Sequence, residues 1–219
     1  MTELRVIAID GSAGSGKSTL ARGLALTLGL PYVNTGVMYR ALTLAALEAG
    51  IDPDDGDALA ELTRELRFSL GTGTPPELEV EGSPPSPALA SGWVEEHVSQ
   101  VAKHPQVREL MRQAQRTLGS PNAVVEGRDI GTVVFPDAPV KLFLTASADT
   151  RIGRRAVERG AADPTVGSAL HRRDARDAIV NPFEPAPGAD VLDTGERSVS
   201  ETLETALAIV RARLPEPAR

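Results

Sequence analysis

Cysteine is absent from this chain of 219 residues. Its absence excludes disulfide bridges and thiolate metal sites. Long apolar runs are also absent, since no stretch approaches the roughly 20 residues that a membrane helix needs. Glu3 and Arg5 interrupt any signal-peptide pattern at the N-terminus. We therefore expect a cytoplasmic protein that has no membrane partner.

Positive charge is scarce as well. The chain has 30 acidic and 23 basic residues, giving a net charge of −7. A broad basic face for nucleic acid is therefore not expected. Lysine occurs only at Lys17, Lys103 and Lys141. The remaining cations are arginines, whose planar guanidinium groups suit bidentate binding of phosphate.

Apolar runs typical of strands alternate with helical patterns along the chain. This alternation predicts an α/β fold with a doubly wound parallel sheet of about five strands, covered on both faces, in one domain over residues 1–219. Ligands bind at the carboxyl ends of the strands in such sheets. The predicted strands are Val6–Ile9, Pro31–Val33, Ala123–Val125, Val140–Leu144 and Asp190–Leu192. The predicted helices are Thr19–Leu28, Val37–Ala49, Trp93–Thr117, Asp149–Arg159, Gly167–Ile179 and Ser200–Leu214.

The most informative motif follows the first predicted strand. It matches G-x-x-x-x-G-K-[ST], the phosphate-binding P-loop, in the run Gly11, Ser12, Ala13, Gly14, Ser15, Gly16, Lys17, Ser18, Thr19. Its glycines allow backbone N–H groups to surround phosphate oxygens, and the helix N-terminus adds partial positive charge. Lys17 adds a full charge, and the Ser18 hydroxyl suits Mg²⁺.

A second polar turn follows the second predicted strand. Gly36 suits a tight turn there, and Thr35 is expected to cap the next helix. Tyr39 and Arg40 then lie on its first turns, where Arg40 can reach a second phosphate group opposite the P-loop. The alternative is a capped helix with a solvated arginine.

The third turn begins at Glu126, directly after the apolar run Ala123–Val125. We expect Glu126 to hold Mg²⁺ through a water molecule, Arg128 to bind phosphate and Asp129 to read a base. The alternative is a salt-bridged turn with no ligand.

Arginines also recur on the helical segments. Arg108, Arg112 and Arg116 are spaced on one helix face, and we expect Arg112 and Arg116 to be solvated. The segment from Arg151 to Arg176 is interpreted either as an exposed, salt-bridged helix pair or as arginines that close over phosphates.

Two stretches interrupt the alternation of strands and helices. One is a Gly- and Pro-rich insert at about residues 65–92, with a small exposed strand at Leu78–Glu81, and the other is a flap at about residues 155–167.

Over nearly the whole chain, these segments resemble the nucleoside monophosphate kinases, and among them the bacterial cytidylate kinases. The most specific match runs from Glu126 to Ala138. The other matching segments are Gly11–Thr19, Thr35-Gly36 with Tyr39-Arg40, Ser99–Arg108 and Arg173–Asp177. The chain departs from the family pattern at Thr35, where serine is common, and at Val180, where arginine is frequent.

The resemblance implies transfer of the γ-phosphoryl group of ATP to CMP or dCMP, by a monomer with Mg²⁺ as cofactor. It implies that residues 11–19 bind ATP, that Ser18 and Glu126 serve the metal, and that the insert and the flap act as CMP-binding insert and lid. The implied catalytic residues are Lys17, Arg128, Arg154 and Arg155. The implied CMP-binding residues are Thr35, Gly36, Tyr39, Arg40, Ser99, Arg108, Arg128, Asp129, Arg173 and Asp177.

Two further hypotheses stay open. The acceptor could be another nucleotide or a small alcohol, which would keep the chain among the kinases. Alternatively, the P-loop could belong to a regulatory switch that binds a nucleotide and signals through a partner. The lack of an N-K-x-D guanine motif argues against the switch.

Overall fold

A computed structural model describes residues 4–158, 165–180 and 184–214. Its centre is a sheet of five parallel strands in the order β2-β5-β1-β6-β7. The strands within these described residues are β1 (Ile7–Gly11), β2 (Tyr32–Asn34), β3 (Phe68–Leu70), β4 (Leu78–Val80), β5 (Val124–Gly127), β6 (Val140–Thr145) and β7 (Asp190–Asp193). The predicted parallel sheet of about five strands is confirmed.

Helices cover both faces of this sheet. The α-helices of the described residues are α1 (Lys17–Leu28), α2 (Thr35–Glu48), α3 (Gly56–Glu65), α4 (Gly92–Val101), α5 (Pro105–Gly119), α6 (Ala148–Glu158), α7 (Thr165–Val180) and α8 (Val199–Arg213). Side chains alternate between the two faces of a strand, so Val6 and Ala8 join one apolar cluster, with α2, α3 and α5. Ile7 and Ile9 join the other, with α1 and α8. The result is the predicted three-layer architecture.

Two of the helix predictions need correction. The single helix expected at Trp93–Thr117 is divided into α4 and α5. The division falls at Pro105, the first residue of α5, because proline has no N–H to donate to a preceding turn and disfavours helical backbone in the residue before it. Helix α3 was not predicted at all, although Asp55 caps it by accepting a bond from the Ala58 amide.

The insert forms a hairpin that is attached to the main sheet. Strands β3 and β4 pair in antiparallel register, with Phe68 opposite Val80. The Tyr32 amide donates to the Pro76 carbonyl at 2.8 Å, which joins the hairpin to the edge strand β2. The expectation of an exposed strand is wrong at Leu78, which is buried in the same apolar cluster as Val6.

The main consequence for function is at the carboxyl edge of the sheet. Strands β1, β2 and β5 are adjacent and parallel, so the turns that follow them meet at one edge. These are the three turns singled out in the sequence.

Among the described residues, no helix has the length and apolar character needed to cross a membrane.

Candidate active site

The P-loop connects β1 to α1 and has its own internal hydrogen bonds. The Ser12 carbonyl accepts one bond from Lys17 Nζ at 2.7 Å and another from Ser15 Oγ at 3.0 Å. Gly16 caps α1 in the left-handed region, at φ 89°, a conformation that costs glycine little. The loop thus places Lys17 and the first turn of α1 beside a cleft, as a phosphate site requires.

The cleft has a volume of about 460 Å³ and extends from the P-loop to α4 and α5. The P-loop residues that line it are Ala13, Gly14, Gly16, Lys17, Ser18 and Thr19, whereas Gly11, Ser12 and Ser15 are not among the lining residues. The predicted acceptor residues that line the cleft are Thr35, Gly36, Tyr39, Arg40, Ser99, Arg108, Arg128 and Asp129. The side chains of Arg173, Asp177 and Val180, and the centre of the predicted lid at residues 159–164, lie outside the described part of the chain.

The turn after β2 is capped by a different residue from the one predicted. Asn34 is the N-cap of α2, and its Oδ1 accepts a bond from the Val37 amide at 3.1 Å. Thr35, which was expected to cap the helix, instead donates its hydroxyl to the Glu126 carbonyl at 2.7 Å. This bond joins the turn after β2 to strand β5, so the two turns form one continuous wall of the cleft.

Asp129 is held by two arginines of α5. Its Oδ2 accepts bonds from Arg108 Nη2 at 2.8 Å and from Arg112 Nη2 at 2.9 Å. The expectation that Arg112 and Arg116 are solvated is wrong, because Arg116 also turns inward and donates to the carbonyls of Val133 and Val134. The helix face was predicted correctly, but what packs against it was not.

The cations of the cleft come from distant parts of the chain. Arg128 Nη1 donates to the Gly11 carbonyl at 2.5 Å, which places its guanidinium against the start of the P-loop. Arg40 is partly buried, and burial lowers its pKa from the usual range, although the Glu126 carboxylate acts in the opposite direction. Arg155 of α6 lines the same cleft. Cations grouped in this way are suited to binding more than one anionic group.

Arg154, unlike the adjacent Arg155, does not line the cleft. Its guanidinium donates to the hydroxyl and the carbonyl of Thr194 at 2.9 and 2.5 Å. The Thr194 hydroxyl in turn donates to the Ser15 carbonyl at 3.0 Å. Arg154 is therefore connected to the P-loop through Thr194 and is not among the residues that line the cleft.

Oxygen donors that suit a metal stand at the junction of the P-loop and β5. Ser18 and Glu126 both line the cleft, and Glu126 is 3% exposed. The Tyr32 hydroxyl donates to Glu126 Oε1, and burial, together with the nearby Glu126 charge, raises the pKa of Tyr32. A hydroxyl and a carboxylate are hard oxygen ligands, and Mg²⁺ is commonly held by few protein groups together with water and phosphate oxygens. The residues present fit this ion.

Two residues with evident roles were not singled out in the sequence. Arg151 of α6 donates to the Ala13 carbonyl at 3.1 Å and to Asp174 Oδ2 at 2.5 Å, so it joins the P-loop to α7. Asp10 precedes the P-loop, is 5% exposed, and accepts bonds from the amides of Ile130 and Gly131 at 2.8 and 2.7 Å. Neither belongs to a short motif; only the arginine-rich composition around Arg151 was noted.

A five-stranded parallel sheet with a P-loop after β1, facing a second group of cations across a cleft, defines a P-loop phosphotransferase. The match to the cytidylate kinase family model extends over residues 7–212. The chain therefore belongs to the cytidylate kinase family.

Individual relatives agree with this assignment. The cytidylate kinase of Mycobacterium avium is 43% identical, over 95% of this chain and 96% of the relative. The bifunctional pantoate ligase/cytidylate kinase of a Synechococcus strain is 41% identical over 98% of this chain, which spans 42% of that longer protein. A crystal structure of an uncharacterized protein from Eubacterium ventriosum has a TM-score of 0.54 at 12% identity, covering 95% of this chain and 99% of that one. This last likeness concerns the fold alone.

Proposed function

We propose that this protein transfers the γ-phosphoryl group of ATP to CMP or dCMP, giving ADP and CDP or dCDP. The observation that carries the proposal is that one cleft brings together the P-loop with Lys17, the guanidinium groups of Arg40 and Arg128, and the Arg108–Asp129 pair. The P-loop and Lys17 suit the phosphates of ATP. The guanidinium groups suit an acceptor phosphate, and the Arg108–Asp129 pair suits a nucleobase.

The chemistry follows from the charges of the two substrates. An acceptor that is already an anionic phosphate needs no general base, so the protein has to align two anions that repel each other and neutralise the group in transfer. Lys17 and Arg128 line the same cleft, where Arg128 contacts the Gly11 carbonyl at the start of the P-loop, and Arg155 adds charge from α6. Positive groups fixed in advance lower the barrier without reorganising during the reaction.

Mg²⁺ bound with ATP would neutralise part of the phosphate charge. In this proposal, the Ser18 hydroxyl holds the ion directly and Glu126 holds it through a water molecule. The hydrogen bond from Tyr32 keeps Glu126 in place at the end of β5.

Base choice depends on the carboxylate of Asp129. Cytosine presents an N4 amino donor next to its N3 and O2 acceptors, and acidic side chains accept from this amino group. Both arginine bonds fall on the same oxygen of Asp129, Oδ2. We infer that Oδ1 accepts from N4, while Arg108 donates to O2 or N3. Uracil would place an oxygen against the carboxylate, so it would be rejected.

The remaining assignments belong to the same proposal. Ser99 and Thr35 both line the cleft, and in this proposal Ser99 contacts the base and Thr35 faces the ribose. The segment at residues 65–92 acts as a CMP-binding insert, in which the turn at Pro85, Ser86, Leu89 and Ala90 contributes to the cleft wall. We further propose a monomer in the cytoplasm, where ATP and CMP are available, with no nucleic acid among its partners.

A coupled assay of ADP release tests the proposal. CMP, dCMP, UMP, AMP and GMP are offered separately with ATP and Mg²⁺, and turnover is expected with CMP and dCMP far above the others. Turnover with AMP but not CMP would refute the assignment of the base. Slow ATP hydrolysis that no acceptor accelerates would favour a nucleotide-dependent switch.

A further inference from the structure

Asp10 is a charged residue at a place where charge is unfavourable. It is the fourth residue of β1, a central strand whose five residues are all buried. Burial raises the pKa of Asp10 to about 6, while the Ile130 and Gly131 amides and the charge of Lys17 act in the opposite direction. Asp10 is thus mostly ionised at neutral pH, although burying a carboxylate costs free energy unless it is well paired.

The hydrogen bonds show what the carboxylate does there. Oδ1 accepts from the Ile130 amide and Oδ2 from the Gly131 amide, so the carboxylate uses both oxygens on two consecutive N–H groups. These amides directly follow Arg128 and Asp129 in the chain. Asparagine has the same shape but only one acceptor oxygen, and its NH₂ group would face the second N–H.

A further hydrogen bond fixes the same junction. Arg128 donates to the carbonyl of Gly11, the residue that follows Asp10. The end of β1 and the segment that begins at Arg128 are therefore joined by three hydrogen bonds, in which the two amides donate to the carboxylate and the guanidinium donates to the carbonyl. Lys17 on the donor side and Asp129 on the acceptor side are both close enough to affect the Asp10 charge.

We propose that Asp10 is a positioning residue, which fixes the acceptor-binding pair Arg128–Asp129 relative to the P-loop. Asp10 contacts neither substrate in this proposal; it acts through the backbone of Ile130 and Gly131. The inference rests on the proposed function, since it assigns Arg128 and Asp129 to the acceptor. A change at Asp10 should therefore alter the binding of the acceptor more than the binding of ATP.

Asp10→Asn tests the proposal by steady-state kinetics at pH 7.5. Small displacements of aligned groups can lower rates by up to about a hundredfold, so we expect kcat to fall roughly tenfold and KM for CMP to rise roughly tenfold. KM for ATP should stay within about twofold, because the internal bonds of the P-loop are untouched. The melting temperature should stay close to that of the wild type, since the neutral side chain avoids the cost of a buried charge.

Asp55→Asn is the matched control, because Asp55 also accepts a backbone N–H bond but caps α3 at an exposed position outside the cleft. Its kinetic constants should equal those of the wild type. Equal changes in both KM values for Asp10→Asn, or a lower melting temperature with unchanged kinetics, would overturn the proposal. If Asp10→Asn does not fold, Asp10→Ser, which keeps one hydrogen-bond acceptor, is tested for the same difference between KM for CMP and KM for ATP.

The acceptor preference of the wild type distinguishes a failure of the positioning role from a failure of the proposed function. If it phosphorylates another acceptor rather than CMP, the proposed function fails, and the split between the two KM values is measured with that acceptor instead. An unequal split would then still support the positioning role.

Discussion

The two ends of the cleft are built in different ways. At the ATP end, the bonds that shape the P-loop join residues three and five positions apart, Ser15 and Lys17 to Ser12. At the acceptor end, Asp129 is bonded to residues 17 and 21 positions away, and Arg128 to one 117 positions away. The P-loop is therefore shaped by local bonds and attached to the rest of the chain by Arg151 and Thr194, whereas the acceptor end exists only when the sheet and α5 are assembled.

This difference predicts how each end responds to substitution. A change in the P-loop removes a group that acts directly on the phosphates, and nothing nearby replaces it. A change at the acceptor end is shared among several partners from different elements, so single substitutions there should change affinity and selectivity more gradually. Four substitutions test this comparison.

Lys17→Met should have the largest effect. It removes the one lysine of the P-loop and the bond to the Ser12 carbonyl. By analogy with the loss of other fixed charge-stabilising donors, kcat/KM should fall roughly a thousandfold. The control is Lys103→Met, which removes an exposed lysine paired with Asp54 and should leave the kinetics unchanged. A loss below tenfold for Lys17→Met would show that the arginines alone carry the phosphate charge.

Asp129→Asn should have the next largest effect, and on selectivity above all. Its NH₂ group can donate to the O4 oxygen of uracil but clashes with the amino group of cytosine. We expect the ratio of kcat/KM for CMP to that for UMP to fall about a hundredfold. The exposed residue Asp137 provides the control, since Asp137→Asn should keep the wild-type ratio. An unchanged ratio in Asp129→Asn would remove Asp129 from base recognition.

Much of the fold and of the ATP end of the cleft could be predicted from the sequence, whereas the contacts of the acceptor end could not. The P-loop was complete in nine consecutive residues, and the parallel sheet of about five strands followed from the alternation of apolar runs with helical patterns. The role of Arg112 was missed because helical spacing defines a face but not its neighbours, and Arg112 meets Asp129 only after α5 packs beside the turn that follows β5. Asp10 was missed for the same reason, since its partners lie 120 positions away.

Arg112→Met tests the more gradual response expected at the acceptor end. Arg112 does not line the cleft but shares Oδ2 of Asp129 with Arg108, so its loss should loosen the carboxylate without removing it. One charge-assisted hydrogen bond corresponds to about a tenfold rise in KM for CMP, with kcat affected less. The control is Arg64→Met, an exposed arginine paired with Glu61 on α3. Loss of activity as complete as in Lys17→Met would contradict the proposed difference between the two ends.

The smallest effect expected is a pH dependence of stability that comes from Asp10. Because burial raises its pKa from 3.8 to about 6, the folded state binds a proton that the unfolded state releases, and the stability gained by this protonation is lost as the pH rises through about 6. Lowering the pH from 7.5 to 5 should therefore stabilise the wild type by about 1 kcal/mol relative to Asp10→Asn, which has no titrating group at this position.

Thermal unfolding of both proteins at a series of pH values measures this difference, which corresponds to a relative shift of roughly 2–4 °C. Asp10→Ser should follow Asp10→Asn, because it also lacks the carboxyl group. A difference between wild type and variant that is constant with pH would mean that the bonds from Ile130 and Gly131 and the charge of Lys17 fully offset the burial of the carboxylate. Asp10 would then hold the two ends of the cleft together at no cost in stability.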